Sequence, residues 1–147
     1  MALRIADAAS LILLSRDDAV LKDIANRVGI NTRDEYNRNL LDHIVLQATD
    51  PIAPEAKNPL HEIRTLIEMG ADATHTLTHI VKLDELCFEY TEHNTQEHAQ
   101  AVSNTIEIIP LLLEAGACIT REALDSAKYN CDPAIQQLLR TAPLLTD

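Results

Sequence analysis

The chain has 147 residues, 46% of them hydrophobic but only 3% aromatic, so it is long enough to bury a core and must build that core from aliphatic side chains. Its formal net charge of −11 repels phosphate backbones and anionic membrane surfaces, which argues against nucleic acid and membrane partners. Leu and Ala favour helices and the strand-forming aromatics are scarce, so the predicted class is all-α.

In chain order, "MALRIADAASLILLS" (1–15) reads as a first helix. Asp7 interrupts a short apolar stretch, which argues against an export signal, and no run reaches membrane-spanning length. "LKDIANRVGIN" (21–31) is a second helix, with Leu21, Ile24 and Ala25 on its apolar face and Gly29 at its end. "NLLDHIVLQA" (39–48) is followed by "ATDPIAPEAKNP" (48–59), whose three prolines predict an extended loop with Asn58–Pro59 opening the next helix.

Two later segments share one pattern. In "IRTLIEMGADAT" (63–74), Ile63, Leu66 and Ile67 precede Gly70 by seven, four and three residues. In "IIPLLLEAGACIT" (108–120), Ile109, Leu112 and Leu113 precede Gly116 by the same offsets. This spacing puts each triplet on one helix face, and the glycine follows the last turn, where a left-handed backbone conformation closes a helix without steric cost. "PAIQQLLRTA" (133–142) repeats the triplet as Ile135, Leu138 and Leu139, with Ala142 in the glycine's place. A second helix of smaller residues precedes each: in the last unit a short helix from about Glu122 to Tyr129 is followed by "NCD" and then Pro133, which is tolerated at a helix start.

These features resemble the ankyrin repeat, whose pattern joins T-P-L-H-x-A to a second helix ending in L-L-x-x-G-A. "THTLTHIV" (74–81) matches the first part, with His79 at the family's histidine position, and "EALDSA" (122–127) matches it loosely. "LLLEAGACIT" and "LIEMGADAT" match the second part closely. The resemblance covers almost the whole chain and implies one ankyrin-like helical-repeat solenoid over 1–147, with units of about 2–33, 34–74, 75–120 and 121–147. Stacked units would then make the core together.

The chain departs from that family in two ways. Its glycines are 41 and 46 residues apart rather than about 33, and the extra length falls inside the second and third units, at 48–59 and 88–104. "FEYTEHNTQEHAQAVSN" (88–104) lacks Pro and Gly and is expected to lengthen its flanking helices, with Pro110 either in a first turn or kinking a longer helix. From Gly70 to Thr76, and from Gly116 to Glu122, only six residues remain, which is too few for the projecting fingers that the resemblance implies.

Between Leu83 and Thr120 there is no Lys or Arg, against Asp84, Glu85, Glu89, Glu92, Glu97, Glu107 and Glu114. A run of charge is ordinarily a solvated face. Here it coincides with the departure from the repeat and holds Phe88 and Tyr90, the residue types that anchor interfaces. Glu85, Phe88, Glu89, Tyr90 and Glu92 are therefore the expected partner-binding residues.

Six histidines and three cysteines raise the question of a metal or nucleophile. His75 and His79 share a helix face at i, i+4, and Cys87, His93 and His98 follow. His79, however, is accounted for by the repeat, and His93 and His98 diverge on a regular helix. No nucleophile elbow or glycine-rich phosphate cradle occurs, so no catalytic residue, metal or cofactor is expected. Cys118 and Cys131 read as small core residues, and the odd, unpaired cysteines suit a reducing, cytoplasmic setting.

The resemblance thus implies a non-catalytic protein–protein interaction module. The alternatives are a stoichiometric inhibitor or regulator of an enzyme with a basic cleft, a bacterial effector acting in a host cell, or a metal- or Cys-dependent enzyme.

Overall fold

The computed structural model describes residues 3–87 and 95–145, apart from the side chains of residues 84–87 and 130. The regular structure of these residues is all-α: α1 (Ile5–Ser15), α2 (Asp18–Val28), α3 (Leu40–Thr49), α4 (Leu60–Glu68), α5 (Thr76–Cys87), α6 (Gln96–Glu114), α7 (Arg121–Asn130) and α8 (Pro133–Leu139). An isolated parallel bridge joins Ile119 to Leu144.

The helices pack as consecutive pairs. α1, α3, α5 and α7 lie side by side in that order, α2, α4, α6 and α8 do the same, and α3 also touches α6. One apolar cluster runs from Ile5 in α1 to Ala142 beyond α8. In the two glycine-closed triplets the first two members carry it: Ile63, Leu66, Ile109 and Leu112 are fully buried, whereas Ile67 and Leu113 pack half-buried against its edge; in the third, Ile135 and Leu139 are buried and Leu138 is at the edge. Each fully buried Leu or Ile contributes about 1.5–3 kcal/mol of transfer free energy.

Local signals set the helix ends. Asp17 caps α2 by accepting from the Ala19 and Val20 amides, Thr120 caps α7 through the Ala123 amide, and Asp132 caps α8 just before Pro133. At Gly70 the amide donates to the Ile67 carbonyl and the next amide, of Ala71, reaches back to Leu66. Gly116 and Ala117 repeat these bonds to Leu113 and Leu112. Both glycines have positive φ, 98° and 89°, so the left-handed closure expected from the sequence is present twice.

The short connections after these glycines bond to one another. The Asn31 side chain donates to the Gly70 carbonyl and accepts from the Asp72 amide. The Cys118 amide donates to the Thr74 carbonyl, and Ile119 exchanges backbone bonds with Pro143 and Leu145. Every junction between successive helix pairs is thus tied on this edge.

On the opposite edge, the first insertion is a loop with Pro51 and Pro59 buried. The second contributes the start of α6, a 19-residue helix with Pro110 well inside it rather than in its first turn. Pro110 has no amide to give the Ile106 carbonyl, and it lies on the exposed side of the helix, where water can serve that carbonyl instead. Asn104, fully buried on α6, donates to the carbonyls of Ala48 and Glu55, while the Asn58 side chain donates to the Asn104 carbonyl. Arg16 holds the same loop from the other side through the Lys57 carbonyl at 2.6 Å.

An added Cβ at Gly70 or Gly116 meets no atom within 4 Å, so substitution there costs only backbone strain. Gly70→Ala and Gly116→Ala should each lower stability by about 1–2 kcal/mol, additively. Thermal denaturation of the single and double variants tests this; unchanged melting temperatures would mean the left-handed closures are dispensable.

Candidate functional site

The densest polar arrangement among the described residues centres on Asp42 of α3, whose side chain is 1% exposed. Its carboxylate closes a reciprocal cap, with the Asn39 amide donating to Oδ2 and the Asp42 amide donating to the Asn39 side chain. Thr76 Oγ1, from the next helix pair, donates to Oδ1 at 2.6 Å, and Arg33 Nη1 lies 3.3 Å from Oδ2. Arg33 also bonds Asp72 at 3.1 Å, and Asn39 Nδ2 donates to the Asp72 carbonyl. The node therefore joins α3 to the connection before it and to the helix after it.

His79 is buried beside this node, with Nε2 3.7 Å from Asp42 Oδ2, too far for a hydrogen bond. Burial penalises its imidazolium and holds its pKa below the ordinary 6.5; Arg38 and Lys82 push the same way, while Asp42 and a bond with the Asn37 backbone oppose them. Asp72 is held below its ordinary 3.8 by bonds from the Thr74 side chain and backbone, with Arg33 adding to them. For Asp34, burial would raise the pKa, but His43 and the Arg38 and Tyr36 amides together bring it below 3.8.

The connection between α2 and α3 is longer than the other two and ends in a turn that presents Tyr36, 66% exposed. Beside it, a cleft of about 460 Å³ separates the turn from the start of α1, with Arg4, Asp7, Asp34, Glu35 and Arg38 on its walls. A second cavity, between α6, α8 and the loop after α3, brings His98 and Cys131 to one lining but holds only about 20 Å³, room for little more than one water.

Of the residues expected from the sequence to bind a partner, Phe88, Glu89, Tyr90 and Glu92 lie outside the described residues, and Glu85 lies on α5 with its side chain outside them. His93 and the side chain of Cys87 are likewise outside. His79 sits between two helix pairs, Cys131 is buried, and Cys118 is only half-buried, a connection residue rather than a core one. Among the described residues, no group of three or more His, Cys, Asp or Glu side chains could hold a metal ion, and no helix is long and apolar enough to cross a membrane.

Asp42, Arg33, Asn104 and Tyr36 escaped the sequence reading. "NTRDEYNRN" (31–39) did carry a signal: it is the longest of the three glycine-to-helix connections and mixes both charges around a tyrosine. Comparison of the chain with protein-family models, curated proteins and solved structures returns no match.

Removing the Asp42 carboxylate leaves the Thr76 hydroxyl, the Asn39 amide and Arg33 without their buried acceptor. Asp42→Ala should cost about 3–5 kcal/mol in urea unfolding, and a cost below about 1 kcal/mol would mean water or a neighbour replaces those bonds.

Because His79 titrates below 6.5 when folded, the unfolded chain binds its proton first, so stability falls as pH drops from 6.5 toward the folded value. Asp34 and Asp72 titrate below 3.8 when folded, so their contribution is present above 3.8 and is lost as pH falls further. Urea unfolding across pH should show both limbs, with His79→Gln removing the upper one alone; an unchanged upper limb in that variant would assign it to another group.

Proposed function

We propose that the chain is a non-catalytic protein-recognition module, built as a short, divergent ankyrin-like stack that binds a partner with a basic surface. One observation carries the reading: four helix pairs packed in series, first helices against first and second against second. Such an arrangement leaves long edges for contact with another protein, and the resemblance of the two glycine-closed helices to the family's second helix supports the same view.

The charge distribution supports the choice of partner. Seven carboxylates and no cation lie between Leu83 and Thr120. Acidic recognition of this kind steers association and selects basic partners. The same run favours one variant of the reading, in which the partner is an enzyme and the acidic segment covers its basic cleft as a stoichiometric inhibitor.

The expected binding residues remain Glu85, Phe88, Glu89, Tyr90 and Glu92. The paired reversal Glu89→Lys and Glu92→Lys should weaken capture of a partner from cell lysate, and more so at low salt, while leaving the melting temperature unchanged. A partner retained equally by both chains would remove the acidic segment from the interface; a chain that captures no protein under either condition would overturn the recognition reading itself.

A further inference from the structure

The first helix pair buries one side of α1 and leaves the other in solvent. Ile5, Ala8, Ala9, Ile12 and Leu13 are buried, and α1 packs against α2 and α3. Arg4, Asp7, Leu11 and Leu14, spaced three, four and three residues apart, share the opposite face, and all four are exposed. That spacing is the one by which a helix offers a continuous seam to a second helix. Leu14, at 84%, is the most exposed large hydrophobic among the described residues, and Leu11 and Val20 of α2 are exposed as well. A repeat stack needs polar outer faces on its terminal units if it is to stay apart from other molecules. At the far end of the same row α7 meets that need, exposing Arg121, Glu122, Asp125 and Lys128 with Tyr129 as its one exposed large apolar group. The free face of α1 does not meet it.

We propose that this face is a homodimer interface, in which α1 lies antiparallel against α1 of a second copy of the chain, across a two-fold axis that brings Leu11 and Leu14 of both copies together. Charge permits a second copy here. Residues 3–28 hold four cations and four carboxylates, whereas the whole chain carries −11, so two acidic molecules meet at this end without local repulsion.

Charge also selects the arrangement. Arg4 and Asp17 stand at opposite ends of α1, both are exposed, and neither has an ion-pair partner among the described residues. The cap of α2 uses Asp17 Oδ1 and leaves Oδ2 for a partner. An antiparallel two-fold carries Arg4 of each copy toward Asp17 of the other, so the contact forms twice. A parallel pairing would instead set Arg4 against Arg4 and Asp7 against Asp7. Asp7, in the first turn of α1, already offsets the positive end of its own helix. Head-to-tail stacking of copies would press the leucines onto the polar α7 end, whereas the self-complementary contact closes at two molecules. One 11-residue helix, about 16 Å long, makes a small interface, so the dimer forms with a Kd on the order of 10–100 µM.

Sedimentation equilibrium of the full chain, from about 1 µM to about 1 mM, tests the proposal. The mass should rise from 16.3 kDa toward twice that value and stop there. Leu11→Glu and Leu14→Glu should each raise Kd by about tenfold or more, and Arg4→Glu, which sets a carboxylate against Asp17, by about threefold or more. Lys128→Glu, at the far end, should leave Kd unchanged. Circular dichroism checks that the variants fold, as expected for exposed positions. A chain still monomeric at about 1 mM, or a dimer that both leucine variants retain at equal affinity, would overturn the interface. An unchanged Kd for Arg4→Glu would overturn the antiparallel arrangement, and a mass that keeps growing past the dimer would mean head-to-tail stacking instead. A monomer that needs Leu11 and Leu14 to hold a different protein from cell lysate would give this face to that partner and overturn the dimer.

Discussion

A carboxylate removed from water must be compensated by the protein, and Asp42 draws that compensation from three separate stretches of chain. Its own helix supplies the Asn39 amide, the preceding connection supplies Arg33, and the following helix pair supplies Thr76. Aliphatic packing alone would let neighbouring helix pairs slide, because leucine and isoleucine contacts are not directional. Hydrogen bonds to a buried charge are directional and costly to leave unmade, so the register between α3 and α5 is set here. The junction before it carries a second pair, Arg16 with the buried Glu62 of α4 at 3.3 Å, and the junction after it is joined by a backbone bond from Cys118 to Thr74.

The legible part of this fold is the part written in local spacing. A triplet at i, i+3, i+4 with a glycine three residues on specifies a helix, its buried face and its ending within a dozen residues, and the bonds at Gly70 and Gly116 have that form. Pro133 and the prolines of 51–59 are equally local, and so is Asn58–Pro59 before α4. What could not be read is long in sequence and short in space. Asp42 to Thr76 spans 34 positions, and Asn104 to Ala48 spans 56. Asn104 in particular reads as an ordinary polar residue of an insertion, yet its side chain is the peg on which the earlier insertion hangs. The longer connection at 31–39 was visible as length and composition, but its backbone is held by Asp34 bonding five groups at once, which spacing does not reveal.

The short connections between successive helix pairs impose a constraint of their own. Connections of five or so residues cannot form a hairpin and still reach the next helix, so their backbone groups need partners elsewhere. They find them on neighbouring connections: Asn31 on 70–72, Cys118 on Thr74, Ile119 on 143–145. This leaves few free groups along most of that edge for a partner to bond. The 31–39 turn is the exception, since its length lets it satisfy its own backbone internally and still raise a side chain into solvent.

The enlarged edge is likewise not free to vary. Arg16 grips the 50–58 loop from the α1–α2 junction and Asn104 grips it from α6, so the loop is clamped between elements nearly ninety positions apart. The early part of α6 thus serves to cover and bond that loop, whatever the acidic residues before it do. A binding role assigned to the whole second insertion would mix these two duties, because losing Asn104 orphans two buried carbonyls whether or not a partner is present. The polar peg at 104 therefore belongs to the fold, and a charge change elsewhere in the insertion is a different experiment from its removal.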